Sequence, residues 1–363
     1  MNTPRTVLVV VTRRIGDVLL TTPLVRSLKR AWPHAAIDVL VFTGAEGVLA
    51  ANSDVRRVLT IAARPRWREH LALLAAIWRR YDVAVSVVPS DRPVVYAWLA
   101  GRWRASLVVD APKHRWKTWL MQRWVAFDNR ATHTVLMHLA LTRALDITAC
   151  HEVAAGWRDA DREQLERVLP FALGEGYAVL HVFPKFNYKM WRREGWCEAA
   201  HWLQGRGLRV VLSGGADPEE VACVNAIAAA IPGVVNLAGR LALGSVACLL
   251  AHARVYLGPD TAVTHMAAAA GVPVVALFGP SDPVKWGPWP AGFRGPGNPW
   301  QRLGTQRVKN VTLIQGSSAC TPCCKEGCER NVASYSDCLQ TITTRRVTGA
   351  LADALGMEAV QPL

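Results

Sequence analysis

The sequence predicts an α/β protein made of two doubly wound parallel-sheet domains facing a central cleft. Three observations lead there. The chain has 363 residues, more than one compact core fills and enough for two domains of ordinary size. Apolar residues make up 51% of it, which excludes a disordered chain. Short β-rich runs alternate with helical stretches in both halves, the pattern of parallel sheets covered on both faces.

In the first half the strands expected are Thr6–Val11 and residues 37–42, 83–88 and 107–109, with helices over 18–31 and 69–81. In the second half the strands expected are 178–182, 209–212, 234–237, 254–257 and 272–278. Helices over 197–204, 218–230 and 245–253 lie between them. LPFALGEG at 169–176 breaks the pattern with Pro and Gly, so the domains expected are 1–170 and 171–343. The Gly-, Pro- and Trp-rich stretch 287–304 reads as a long loop. A last helix in 344–363 is expected to pack back on the first domain. Ligands of such sheets sit outside the carboxyl ends of the strands, so a site in the cleft is expected.

No apolar run is long enough to span a bilayer, and MNTPRTVLVVVTRRIGD enters a strand without a cleavable signal pattern. The expectation is a cytoplasmic protein. Its net charge of +14 is lopsided: residues 1–160 carry 23 Lys and Arg against 12 Asp and Glu. A basic first half points to an acidic partner, phosphorylated lipid or nucleic acid, or only to solubility. Residues 103–124 interleave Lys113, Arg115, Lys117 and Arg123 with Trp116, Trp119 and Trp124. That suits an anionic interface, or equally a helix with a tryptophan core face and a solvated basic face.

Five of nine cysteines crowd near the end: Cys320, Cys323, Cys324, Cys328 and Cys338. In a reducing compartment they read as a structural zinc site, Cys320, Cys323, Cys328 and Cys338, or as a reduced loop. Their spacing is irregular, and a catalytic metal is not expected.

Three segments carry candidate chemistry. After the first strand, RRIGDVLLTTPLVRSL has one glycine, so it is not a dinucleotide fingerprint. Asp17 there can act as a general base or merely cap a helix; Arg13 and Arg14 can hold a phosphate or be solvated. In HVFPKFNYKMWRREGW, Lys185 and Lys189 can reach a phosphate, with Trp191 and Trp196 packed nearby. In GPDTAVTHMAAAAGVPVVALFGPSDPVKWGP, residues 258–288, Asp260 and Thr261 stand at a helix mouth. Such a mouth suits phosphates and ribose hydroxyls, while Asp260 itself either caps the helix or accepts from a sugar diol. SGGADPEE reads as structural, with Asp217 as a helix cap.

Taken together and in this order, these segments and the Cys-rich loop resemble the glycosyltransferase family of the bacterial lipopolysaccharide heptosyltransferases, glycosyltransferase family 9. They are most similar to its heptosyltransferase III branch. The resemblance runs over nearly the whole chain. It implies the GT-B fold and inverting, metal-independent transfer of heptose from ADP-heptose to a phosphorylated lipid A-core acceptor. Asp17 matches the family's base, Lys189 the residue that neutralises the donor diphosphate, and Asp260, Thr261 and His265 the donor cluster. Thr264 and Ser281 belong with them, and Arg13, Arg14, Lys113, Arg115 and Lys117 are expected on the acceptor side. No cofactor is required, and no nucleic acid is expected. The basic half would then face the anionic inner leaflet, peripheral on the inner face of the inner membrane. Three positions depart from the family: Ala262 and Ser281 replace a frequent Gly and Thr, and Glu194 stands where Pro or a small residue is common. Two other readings remain. One is a transferase using another nucleotide sugar or acceptor; the other is a basic nucleic-acid- or lipid-binding protein on the same fold.

Overall fold

The computed structural model describes residues 3–357. The chain forms two compact units: residues up to Gly156 with Arg294–Asn298, and Trp157–Phe293 with the chain from Pro299 on. The boundary falls before the Pro/Gly break at 169–176. The reason is the helix Asp159–Val168, whose buried Leu165 and Asp161 pack on the helix Leu243–Ala251 of the second unit.

The first unit has strands β1 (Thr6–Val11), β2 (Ala36–Phe42), β3 (Arg57–Ile61), β4 (Tyr81–Ser86), β5 (Gly101–Val108) and β6 (Arg123–Ala126). They form one parallel sheet in the order β3-β2-β1-β4-β5-β6. Val7 to Val11 are all buried because helices cover both faces. Leu8 and Val10 face a cluster with Leu73, Ile77, Val94 and Ala97 from the helices Trp67–Ile77 and Asp91–Ala100. The helix Thr134–Leu145 packs on Thr22–Ala31. The single helix expected at 18–31 is two, Ile15–Leu19 and Thr22–Ala31, because Pro23 starts a new helix. The strand expected at 107–109 is the end of β5.

The second unit repeats this winding with β7 (Tyr177–His181), β8 (Arg209–Ser213), β9 (Val235–Asn236), β10 (Val255–Pro259), β11 (Val274–Phe278), β12 (Gln306–Val308) and β13 (Val311–Gln315). The order is β12-β13-β11-β10-β7-β8-β9, parallel except for β12 on β13. Both sheets therefore reverse direction beside their first strand, at β1/β4 and at β7/β10. These switch points are where doubly wound sheets open a crevice at the strands' carboxyl ends. The helices Arg193–Gln204 and Pro218–Ala228 share one core cluster with the sheet.

The last helix, Thr344–Ala354, corrects an expectation. Its Val347, Ala350 and Leu351 are buried in that same second-unit cluster, against the helix Arg193–Gln204 and strands β11 and β13. Its amphipathic face is used on its own unit; residues 358–363 of the expected terminal segment lie outside the described residues. Among the described residues no helix is long and apolar enough to cross a membrane.

Candidate active site

The second unit brings three predicted residues together at its switch point. Lys189 follows β7, Asp260 comes directly after β10, and Ser281 follows β11, so three adjacent strands each deliver one group past their carboxyl ends. Lys189 Nζ lies 2.5 Å from Asp260 Oδ2, and Ser281 Oγ donates to the same oxygen at 2.6 Å. Asp260 is buried. Burial works to raise its pKa, but the Lys189 charge and the hydrogen bonds from Lys189 and Ser281 outweigh it and hold the carboxyl below its ordinary value.

Asp260 does not cap the following helix. Thr261 does: it is the N-cap of Ala262–Ala270, and its hydroxyl accepts from Thr264 N. Freed from capping, Asp260 is available to fix Lys189 or to meet a ligand. His265, one turn into the helix, has Nε2 3.9 Å from Asp260 Oδ1. Burial pushes its pKa down to about 4, so the ring is neutral near pH 7. Its Nδ1 is buried and has no hydrogen-bond partner among the described residues. An unmet buried nitrogen costs about 1–3 kcal/mol, so a ligand atom that satisfied it would recover that energy. The Ala262 methyl sits in the first turn of this helix, half-buried.

The turn is braced from below by a residue the sequence did not single out. Tyr256 on β10 is fully buried, and its hydroxyl lies 2.8 Å from Thr264 Oγ1, which donates to Pro259 O and lies 3.2 Å from Thr261 Oγ1. Gly258 makes room for it, since a Cβ there would fall 2.2 Å from the phenol oxygen. A phenol two residues before a glycine on the same strand is the only signal, and it is a faint one. His181 and Ser213, the last residues of β7 and β8, were also missed. They are buried and joined at 3.2 Å, and burial pushes His181 to about 4. The clue was a polar residue closing an otherwise apolar strand.

Trp191 and Trp196 pack edge to face below the Lys189 segment, with centroids 5.2 Å apart, and Trp191 Nε1 donates to Ile342 O. Gly195 is required there: a Cβ would lie 2.5 Å from the Trp191 ring. Lys185 is exposed. Asp217 caps its helix by accepting from Glu219 N, as expected, and Gly214 and Gly215 lie against the Glu220 carboxylate.

In the first unit, Asp17 follows β1 and is half-buried in the first turn of Ile15–Leu19, whose N-cap is Arg14. Asp17 is thus not a cap. Arg13 and Arg14 are exposed beside it, as are Lys113 and Arg115 further along. Lys117 is not on that surface. Its ammonium is buried, donates to Pro89 O at 2.6 Å and pairs with Asp91 at 2.6 Å, so it ties the helix Arg115–Trp119 to the segment after β4. Residues 103–124 are neither one helix nor one surface: β5, a short helix and β6 divide them, with Trp119 outermost.

All nine cysteines are free thiols. Cys338 is buried; burial raises its pKa, and so do the nearby thiols of Cys323, Cys328 and Cys320. Among the described residues no group of three or more Cys, His, Asp or Glu side chains is arranged to hold a metal ion.

The model of glycosyltransferase family 9 (heptosyltransferase) matches residues 93–311. Lipopolysaccharide heptosyltransferase 1 of Pseudomonas aeruginosa is 30% identical over 336 residues, covering 89% of this chain and 87% of the relative. Lipopolysaccharide heptosyltransferase 3 of Escherichia coli is 28% identical over 284 residues, covering 76% and 83%. Among solved structures, a glycosyl transferase of family 9 from Veillonella parvula superposes with a TM-score of 0.79 at 19% identity, covering 98% of both chains. The E. coli heptosyltransferase WaaC with ADP gives 0.73 at 21% identity, covering 96% and 99%.

Proposed function

The chain belongs to glycosyltransferase family 9, and we propose that it moves heptose from ADP-heptose to a phosphorylated lipid-linked acceptor of the lipopolysaccharide inner core. It is a glycosyltransferase of GT-B architecture. The observation that carries the donor assignment is the Lys189–Asp260–Ser281 cluster, set beside the mouth of the helix Ala262–Ala270 at the second switch point. An ammonium and a capped helix start are suited to a diphosphate whose charge grows as its bond to the sugar breaks. Asp260, with one oxygen on Lys189 and Ser281, keeps the ammonium aimed and leaves its second oxygen for a sugar hydroxyl.

Asp17 is assigned as the general base. A hydroxyl is a poor nucleophile until its proton leaves, and a carboxylate beyond the end of β1 can accept that proton as the hydroxyl attacks the anomeric carbon. Single displacement inverts that carbon, and the diphosphate departs as ADP. The chemistry asks for no metal. Arg13, Arg14, Lys113 and Arg115, all exposed, are assigned to the acceptor's phosphates; Lys117 is withdrawn from that set by its burial. The enzyme would work in the cytoplasm, peripheral on the anionic inner face of the inner membrane.

The test is Asp17→Ala assayed with ADP-heptose and a heptose-deficient lipid core. Turnover should fall roughly 100- to 10,000-fold while ADP still raises the melting temperature. Unchanged turnover removes Asp17 as base. Stabilisation by a UDP-sugar but not by ADP or ADP-heptose would overturn the donor.

A further inference from the structure

The helix Trp67–Ile77 of the first unit turns its apolar stripe the wrong way. One stripe, with Leu73 and Ile77, is buried against the sheet. A second stripe points to solvent: Trp67 is 67% exposed, Leu71 56% and Trp78, just past the helix end, 57%. Spacings of four and seven residues put the three on one face, and exposed Ala75 lies between them. Large apolar side chains in a row facing water mark a contact surface. Arg64, Arg66, Arg68, Arg79 and Arg80 are exposed around the stripe, and Glu69 is the only acid between residues 64 and 80. Arg68 lies over the Trp67 ring at 5.2 Å.

We propose that this helix docks the enzyme on an anionic lipid bilayer, Trp67, Leu71 and Trp78 entering the headgroup boundary while the surrounding arginines meet lipid phosphates. The proposal rests on the reading of a lipid-linked acceptor and names the element that holds the enzyme at its substrate's surface. Tryptophan suits that boundary because its ring is apolar and its N–H can stay hydrated. An interfacial helix of this kind sinks its apolar face about 5–10 Å, and each basic residue near an anionic surface strengthens the attraction. Charge decides against a second copy of the chain as the occupant. Two such faces would set five arginines against five, whereas a bilayer of negative headgroups offers the complement.

The experiment is co-sedimentation of the full chain with vesicles of phosphatidylcholine alone and of phosphatidylcholine with phosphatidylglycerol. The chain should bind the mixed vesicles, lose binding as salt rises, and ignore phosphatidylcholine. W67S/W78S, two exposed changes, should weaken vesicle affinity roughly tenfold or more while the melting temperature and ADP binding stay unchanged. W119S, exposed elsewhere on the same unit, should bind like the wild type. Equal binding by W67S/W78S overturns the helix as the docking element and leaves the membrane reading intact. No binding of the wild type to mixed vesicles overturns both. A wild-type dimer in light scattering that W67S/W78S converts to monomer makes the face a self-interface and overturns the proposal.

Discussion

Replacing Lys189 by methionine removes the ammonium but leaves Asp260 where water barely reaches it. Ser281 still donates to the carboxylate, and neutral His265 offers no compensating charge. Breaking a buried pair by deleting one partner costs about 3–5 kcal/mol. Asp260 relieves part of this by binding a proton, because burial, no longer opposed by Lys189, pushes its pKa up. A net loss of about 3 kcal/mol lowers the melting temperature by roughly 10 °C in a unit of this size. K189M/D260N takes out both charges with little change of volume, and should regain stability to within about 1 kcal/mol of the wild type. Donor binding separates from stability at this point. Wild type with ADP at about a hundredfold over its dissociation constant gains about 2.7 kcal/mol, while both variants should gain almost nothing. Thermal melting of the three proteins with and without ADP reads all of this. A K189M protein as stable as wild type would refute the electrostatic account of the pair. A double variant stabilised by ADP as strongly as wild type would refute the assignment of the cluster to the donor.

Three further outcomes follow from single groups. His181 and His265 have folded pKa values of about 4 against an ordinary 6.5, so the unfolded chain binds more protons between those values. Stability should therefore be full above pH 6.5 and fall as the pH drops towards 4, by on the order of 3 kcal/mol per histidine; urea unfolding of His265→Gln should show a shallower loss. Tyr256→Phe deletes one buried hydroxyl contact to Thr264 and should cost about 1 kcal/mol, raising the KM for the donor more than it lowers kcat. Lys117→Met should lower the unfolding free energy measured in urea by about 2 kcal/mol, since a charged hydrogen bond to Pro89 O is lost, yet leave the salt dependence of acceptor binding unchanged.

How much was legible in the chain depended on burial. Central strands such as β1 and β10 announced themselves because nearly every residue is apolar when both faces are covered. The edge strands β3, β6 and β12 did not: they are short and half-exposed, so no alternation marks them. Strand β13 is buried but follows a loop rich in Gly and Pro, and that context masked it. Within the site, Lys189, Asp260 and Ser281 could be picked from their places after strands. Their meeting on one carboxylate oxygen could not, since 71 and 21 residues separate them along the chain. Lys117 shows the converse failure. A lysine among arginines and tryptophans reads as surface, and only packing reveals that Asp91 and Pro89 hold it inside.

The strand order common to both units has an evolutionary reading. Asp17, Lys189, Asp260 and Ser281 all lie beyond strand ends, while the apolar residues that set the winding lie within the strands. Mutation can therefore rework what the enzyme joins together, nucleotide, sugar or lipid, one loop at a time, without disturbing the framework inherited beneath.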